Sequence, residues 1–114
     1  MEKIEKYTQA VIALLSEKAT VNISENEKIH EQIISDTIKK HYLLMWLGFN
    51  DNDGFVDRVI LHFQVKEDGK VWILANWTED DVAEELVRKG VDKNDIVLGF
   101  QPPYIRPQSG YAVA

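Results

Sequence analysis

Three histidines, His30, His41 and His62, are the side chains most suited to acid–base or metal chemistry. A zinc site would require them to converge with a carboxylate. They are spread over different predicted elements with no close His–His spacing, which favours imidazoles that are hydrogen-bonded or face solvent. His62 lies centrally in a predicted strand and shares a predicted face with Arg58. These two residues form the candidate polar cluster.

Residues Asn50–Gly54 (NDNDG) resemble part of a calcium-binding loop. Asp51, Asp53 and Gly54 fall at its third, fifth and sixth positions. The first and twelfth positions are then Phe49 and Ile60, so two essential oxygen ligands are missing. The segment therefore predicts a hairpin turn, and no metal-ligating residue is assigned.

Five acidic residues are clustered around the start of a predicted helix. They are Glu79, Asp80, Asp81, Glu84 and Glu85. Such a cluster is able to hold a metal or act as paired acids. Carboxylates are also favoured in the first turn of a helix by its dipole, and Thr78 is placed to be the N-cap. Capping plus a solvated helix face accounts for all five acids, and this is the preferred interpretation.

The composition excludes several classes of chemistry. The chain has no cysteine, which rules out disulfides, thiolate metal sites and thiol nucleophiles. It contains no nucleophile-elbow, phosphate-loop or dinucleotide-binding motif. We assign no catalytic or cofactor-binding residue and expect a non-enzymatic protein. The net charge of −6 is unfavourable for binding phosphates, so any contact with DNA is expected to be indirect.

Aromatic residues offer an alternative basis for binding. Trp46, Trp72 and Trp77 with Phe63 could present stacking faces on a sheet, as in proteins that bind single-stranded nucleic acids. Such sheets combine aromatic residues with Lys and Arg, which are sparse here. Packing in the core or at an interface is the preferred interpretation.

The hydrophobic pattern predicts an N-terminal helix followed by a β-meander. Apolar residues at three- and four-residue spacings indicate a helix over residues 2–20, and a polar loop follows at 22–28. Strands are predicted at 30–40, 41–49, 58–65 and 70–77. Asp68–Gly69 is typical of a type I′ hairpin turn with two positive-φ residues. These strands form an antiparallel sheet of about four strands.

The second half predicts another helix and an irregular end. The helix following Thr78 should end at Gly90, a left-handed C′ residue. A turn at 92–95 and an apolar run, Ile96–Phe100, precede a Pro-rich irregular segment. The last five residues, Gly110–Ala114, are apolar and should pack on the sheet or pair with its edge, with Tyr111 and Val113 buried. The whole chain is therefore predicted to be one α+β domain, residues 1–114.

Two expectations concern the surroundings of the domain. The segment 41–49 is apolar on both of its faces, so a sheet with helices on one side needs a second cover. A second subunit is the expected cover, giving a homodimer or higher homo-oligomer in which Trp72 and Trp77 are candidate contacts. The chain shows no signal-peptide pattern and no apolar stretch long enough for a bilayer, so we expect a cytoplasmic location.

An ordered set of residues along nearly the whole chain resembles the XisI family of cyanobacteria, the fdxN-element excision controlling factor I proteins. The matching positions are Ile4–Tyr7, Asp36, His41–Tyr42, Gly48–Phe49, Arg58, Ile60–His62, Gly69–Ile73, Thr78–Glu79, Ala83, Glu85–Leu86, Gly90–Val91, Asp95–Phe100, Pro103, Arg106 and Gly110–Ala114. The chain departs from the family pattern at Gln101, where a His is common, and at Asn76–Trp77, where Asp-Gly is frequent.

The resemblance implies an accessory protein. Family members are associated with excision of a DNA element during heterocyst development, together with a recombinase and a companion protein, XisH. It therefore implies a XisH-like protein partner. Tyr104 and Arg106 in the Pro-rich segment are the leading candidate contacts, although Arg106 has an alternative local role, pairing with Asp95 or the terminal carboxylate.

Two other functions remain as alternatives to the accessory role. One is direct DNA binding during excision. The other is an enzyme built around His62, Arg58 and the acids near Glu79, which requires these residues to converge in one cleft.

Overall fold

A five-stranded mixed sheet with two α-helices on one face forms the fold. The computed structural model describes residues 2–21 and 29–114, and the predicted loop at 22–28 lies outside the described residues. The elements are α1 (Glu2–Val21), β1 (Ile29–Asp36), β2 (His41–Phe49), β3 (Phe55–Val65), β4 (Val71–Asn76), α2 (Val82–Arg88) and β5 (Ile96–Leu98), with 3-10 turns at Lys93–Asp95 and Arg106–Gln108. This architecture confirms the predicted α+β class.

The strands lie side by side in chain order. The antiparallel meander of β1 to β4 is confirmed, although β1 ends at Asp36, whose carboxylate accepts hydrogen bonds from the backbone N–H groups of Ile38 and Lys39. The fifth strand was not predicted, and it pairs parallel to β4. A three-residue strand beside prolines carries too little periodicity to be recognised from sequence.

Both helices pack on the same face of the sheet. The predicted stripe of α1 is confirmed, with Tyr7, Val11, Leu14 and Leu15 buried, and α2 adds Val82, Ala83 and Leu86 to the same core. Within the described residues, neither helix is long and apolar enough to cross a bilayer.

The opposite side of the sheet, here called the open face, carries no α-helix among the residues that the structure describes. It consists of the odd-numbered residues of β2 and their cross-strand partners on β1 and β3. On β2 the even-numbered Tyr42 and Leu44 are buried against α1, whereas Leu43 and Met45 are only half-buried. The described residues of the single chain therefore leave this face of β2 partly exposed, and its cover by a second subunit stays a prediction.

A β-bulge changes which residues of β3 share a face. Leu44 pairs with Leu61, but the next residue, Met45, pairs with Val59, so Ile60 is inserted. Beyond an inserted residue the side chains change sides. Val59 therefore lies on the open face with His62, and Arg58 lies on the helix face. The predicted alternation along this strand is correct only from Leu61 onwards.

The turns follow the predicted positions but not all of the predicted geometries. Asn50–Gly54 is a hairpin turn, as predicted, in which the side-chain carbonyl oxygen of Asn50 accepts hydrogen bonds from the N–H groups of Asn52 and Gly54. The type I′ turn at Asp68–Gly69 is wrong, because only Gly69 has positive φ, 86°. The loop closes instead through Gly69 N–H to the carbonyl of Lys66, 2.9 Å.

The N-cap of α2 is Asp81 and not Thr78. The carboxylate of Asp81 accepts a hydrogen bond from the N–H of Glu84 at 3.1 Å, the geometry that satisfies an unpaired donor of the first turn. Thr78 lies in the preceding loop, where its hydroxyl accepts from the N–H of Asp80. At the other end Gly90 has φ 101°, which confirms the predicted left-handed residue.

The C-terminal segment docks on the edge of the sheet, as predicted. The N–H of Ala112 donates to the carbonyl of Ile96 at 2.8 Å, and Ala112 forms an isolated parallel bridge with Val97. Tyr111 is partly buried against the core. Val113 is 53 % exposed, so the prediction that it is buried is wrong. It follows Ala112, the last residue paired with the sheet.

Candidate interaction site

The structure brings two of the three histidines into contact. His41 begins β2 and His62 lies in β3, and the hairpin between them places Nδ1 of His41 2.8 Å from Nε2 of His62. One ring must donate the shared proton and the other accept it. The expectation that the imidazoles are hydrogen-bonded or face solvent is therefore met, because His41 and His62 bind each other and His30 is an exposed residue of β1.

The histidine pair has polar neighbours in the sheet, but within the described residues it lacks the further ligands that a metal ion needs. Asp36 is the cross-strand partner of His41 and Gln64 lies on its other side. In the part of the chain that the structure describes, no three His, Asp or Glu side chains are grouped so that they could hold a metal ion. Burial, with a smaller contribution from the charge of His41, lowers the pKa of His62 below its usual value.

The lowered pKa of His62 predicts a loss of stability in mild acid. Below pH 6.5, the ordinary pKa of a histidine, the unfolded chain binds a proton that the folded chain does not. The free energy of unfolding should therefore fall as the pH drops from 6.5 towards the folded-state pKa of His62. Urea unfolding at pH 7.5 and pH 5.5 measures this difference. It should be smaller in His62→Gln than in the control His30→Gln, and equal differences in the two variants would contradict the assignment.

Arg58 does not join His62. Its cross-strand partner is Trp46, which packs against the core on the helix face, whereas His62 contacts His41 on the open face. The candidate polar cluster of Arg58 and His62 is therefore not formed, because the bulge at Ile60 separates their faces.

Arg58 lies instead in a hollow of about 380 Å³ beside the start of α2. Its lining residues are Trp46, Arg58, Ile60, Trp77, Thr78, Glu79 and Asp80. The guanidinium carbon of Arg58 lies 5.9 Å from the ring centre of Trp77, within reach of a cation–π interaction. The convergence of His62, Arg58 and Glu79 that an enzymatic cleft would require does not occur.

Four of the clustered acids have structural roles. Asp80 and Glu85 both bind the ammonium of Lys18, at 2.9 and 2.7 Å. Asp81 caps α2, and Glu84 faces Arg88 one turn along the same helix at 3.4 Å. The predicted role in capping and on a helix face is confirmed for Asp81 and Glu84, whereas Asp80 and Glu85 bind Lys18 of α1 and Glu79 lies before the helix.

Arg106 organises the C-terminal segment. Its guanidinium donates to the backbone carbonyls of Gln101 at 3.1 Å and Val113 at 3.4 Å. The same group lies 5.0 Å from the ring centre of Trp72, whose ring is also contacted by Lys66 at 3.9 Å. The local role is therefore different from the predicted pairing, and Asp95 is bound instead by Lys3 and by the hydroxyl of Tyr7.

Three aromatic side chains near the end of β4 and in the Pro-rich segment face solvent. We call Trp77, Phe100 and Tyr104 the aromatic surface, and they are 70 %, 52 % and 78 % exposed. Trp77 and Phe100 line one shallow hollow whose other lining residues come from β4. Packing in the core is therefore wrong for Trp77, for which packing at an interface stays a prediction, whereas Trp72 is half-buried and Phe63 lies in the core.

Comparison with known proteins places the chain in a family. The model of the XisI protein family matches residues 1–113. The chain belongs to the XisI family. A XisI-like protein from Anabaena variabilis has a similar structure, with 39 % identity, a TM-score of 0.90, and coverage of 97 % of this chain and 99 % of that one.

A second similar structure carries a name that refers to excision of a DNA element. The fdxN element excision controlling factor XisI from Anabaena variabilis is 26 % identical, with a TM-score of 0.83, and the similarity covers 98 % of this chain and 99 % of that chain. No curated protein matches this chain significantly.

Two contributors to the surface of this XisI-family chain were missed from sequence. The sequence places Phe100 at the end of an apolar run, and the Pro102–Pro103 break that follows it is the signal that the chain turns outwards there. The hairpin turn at Asn50–Gly54 implies that β2 and β3 lie side by side, and it is the sequence signal that places His41 near His62. Counting the cross-strand register from that turn could have indicated the pair, but the inserted Ile60 would have shifted the count.

Proposed function

We propose that this chain is a non-enzymatic control protein that acts in excision of a DNA element, or in a related regulatory role, by binding a XisH-like protein. The observation that carries the proposal is the similarity, over 98 % of the chain, to an fdxN element excision controlling factor. The proposal places the protein in the cytoplasm, where a chromosome is accessible, with DNA contacted only through the partner.

The aromatic surface supports a role in protein binding. Large aromatic side chains are the residues that most often dominate interface energies. Trp77 directly follows β4 and Tyr104 lies in the Pro-rich segment, and both side chains are exposed. Their surface is therefore available to a partner without unfolding of the chain. The excess of acidic over basic residues, 19 to 13, favours a basic protein partner over a nucleic acid.

The proposed partner is tested by co-purification with a XisH-like protein encoded in the same genome. At about 10 μM each, the two proteins should co-elute from a sizing column. Trp77→Ala and Tyr104→Ala should each weaken binding at least about tenfold, while Ile38→Ala, at an exposed turn residue, should not. Failure to co-elute, with both proteins folded, would argue against the proposal.

Duplex DNA provides the discriminating control. The chain alone should give no mobility shift at about 50 mM salt, because a surface with an excess of carboxylates cannot release many counterions from phosphates. A shift that weakens steeply with salt would instead support direct DNA binding and contradict the partner model.

A further inference from the structure

We propose that the outer edge of β1 is a docking edge, to which a partner protein adds an extended segment that brings a Lys or Arg to Glu31. The strand spans Ile29–Asp36 and lies at one margin of the sheet. Among residues 2–21 and 29–114, only β2 pairs with it. Alternate residues of an edge strand direct their N–H and C=O groups away from the sheet, where a further strand can pair with them.

The opposite edge of the sheet is covered by the chain itself. There the N–H of Ala112 donates to the carbonyl of Ile96, and Ala112 forms a bridge with Val97 of β5. Proteins commonly protect a bare edge with Lys, with Pro or with a very short strand. The docking edge has none of these features, since β1 is eight residues long and reads IHEQIISD. It is therefore suited to accept another strand.

The side chain of Glu31 determines which charge the added segment should carry. Glu31 lies opposite Trp46 on the helix face of the sheet. Both carboxylate oxygens are buried, and no described residue donates a hydrogen bond to either of them. A buried carboxylate without a partner is costly, and a cation that reaches it offsets this cost. Burial raises the pKa of Glu31 above its usual value, as expected where no cation lies nearby.

Apolar side chains on both faces of β1 are exposed towards the added strand. Ile33 lies on the helix face opposite Leu44, and Ile34 lies on the open face opposite Leu43. Each isoleucine is 40 % exposed. Contacts between β-branched residues of neighbouring strands stabilise a sheet. The segment that fits this edge therefore has β-branched residues on both faces and its Lys or Arg on the helix face.

The charge of β1 argues against a second copy of this chain as the occupant. The strand contains Glu31 and Asp36 but no Lys or Arg, and the imidazole of His30 lies on the open face. Pairing of two β1 strands would therefore leave the buried carboxylate without a cation. It would also join two chains that each carry a net charge of −6. A basic segment from another protein supplies the missing charge.

The inference rests on the proposed function for the identity of the partner, because the XisH-like protein is the one that would supply the segment. The strands β1 and β4 are three strand spacings apart, about 14 Å. The aromatic surface begins with Trp77, directly after β4. One partner can therefore contact both the docking edge and the aromatic surface.

Amide hydrogen exchange with a synthetic peptide tests the docking edge without the XisH-like protein. The probe is a peptide of about nine residues, alternating valine and threonine with a central lysine, added at about 1 mM to the full chain. Exchange of alternate β1 amides should slow at least about tenfold, whereas exchange of the α2 amides should not change. The same peptide with glutamate in place of the lysine should bind at least about tenfold more weakly.

The variant Glu31→Gln separates a docking role of Glu31 from a role in the fold alone. It removes the unpaired buried charge, so the thermal midpoint of the free chain should rise. Its affinity for the lysine peptide should nevertheless fall at least about tenfold. The control Glu67→Gln, at an exposed residue of the turn between β3 and β4, should change neither quantity. A lower midpoint with unchanged peptide affinity would mean that Glu31 serves only the fold.

Three further results would overturn the proposal. The first is unchanged exchange of β1 in the presence of the lysine peptide, and the second is equal protection by the lysine and glutamate peptides. The third is a dimer in light scattering at about 100 μM whose alternate β1 amides are protected without any peptide, since a second copy would then occupy the edge.

The same measurements separate this inference from the proposed function. Protection of β1 by the lysine peptide, with no co-elution of the XisH-like protein, would support the docking edge and contradict the proposed partner. Co-elution of the XisH-like protein, with β1 amides unprotected in the complex and with the peptide, would support the partner and overturn the docking edge.

Discussion

Deletion of Gly110–Ala114 is expected to lower the free energy of unfolding by about 2–3 kcal/mol. The deletion removes Tyr111 from its contact with the core, and a partly buried ring of this size contributes about 1.5 kcal/mol. It also removes the hydrogen bond from Ala112 N–H to the carbonyl of Ile96, about 1 kcal/mol net. Loss of the bridge uncovers Val97, which is fully buried in the intact chain.

Two point variants separate the contributions within this segment. Tyr111→Ala should cost about 1.5–2 kcal/mol, whereas Val113→Ala should cost less than about 0.5 kcal/mol because its side chain is already half-exposed. Thermal unfolding of the deletion should show a midpoint about 8–12 °C lower. An unchanged midpoint, or equal losses for the two point variants, would show that the segment does not dock as described.

The sequence predicts best those elements in which the hydrophobic pattern repeats many times. The stripe of α1, with Val11, Leu14 and Leu15 buried, repeats over about five turns, so its face is well defined. The four antiparallel strands were recognised because turn residues such as Asn50 and Gly69 separate them. The strand β5 spans only Ile96–Leu98, which is shorter than one repeat of any diagnostic pattern.

The site was harder to predict because it depends on tertiary register. The inserted Ile60 is an ordinary apolar residue, and nothing local marks it as a bulge. Yet that one insertion moves Arg58 to the helix face and leaves His62 on the open face, which removes the candidate polar cluster. Trp77 directly follows β4, which ends at Asn76, and it is 70 % exposed. The residue type favours burial, so composition does not indicate this exposure.

Replacement of Lys18 by methionine is expected to cost about 2–3 kcal/mol of stability. The ammonium is nearly buried, with 11 % of the side chain exposed, and binds Asp80 and Glu85. Burial disfavours the charged form, but the hydrogen bonds to the two carboxylates outweigh it and raise the pKa of Lys18. The two ion pairs of Lys18 thus join α1 to the loop before α2 and to α2 itself.

The loss of stability in Lys18→Met would come mainly from Glu85, whose negative charge is left without a cation. Methionine keeps the apolar packing of the lysine stem, while the carboxylate of Glu85, on a side chain only 26 % exposed, loses its cation. Removing one member of a buried pair costs about 3–5 kcal/mol. The expected value is smaller because Asp80, 50 % exposed, can turn to water.

A matched variant and a double variant make this prediction specific. Arg88→Met removes a cation that is 70 % exposed and contacts Glu84 at 3.4 Å, so it should change stability by less than about 0.5 kcal/mol. Adding Glu85→Gln to Lys18→Met should recover about half of the loss, because the unpaired charge is then absent. Urea unfolding of the four proteins measures both effects. Equal losses for Lys18→Met and Arg88→Met would mean that the contact is solvated and does not hold the helices together.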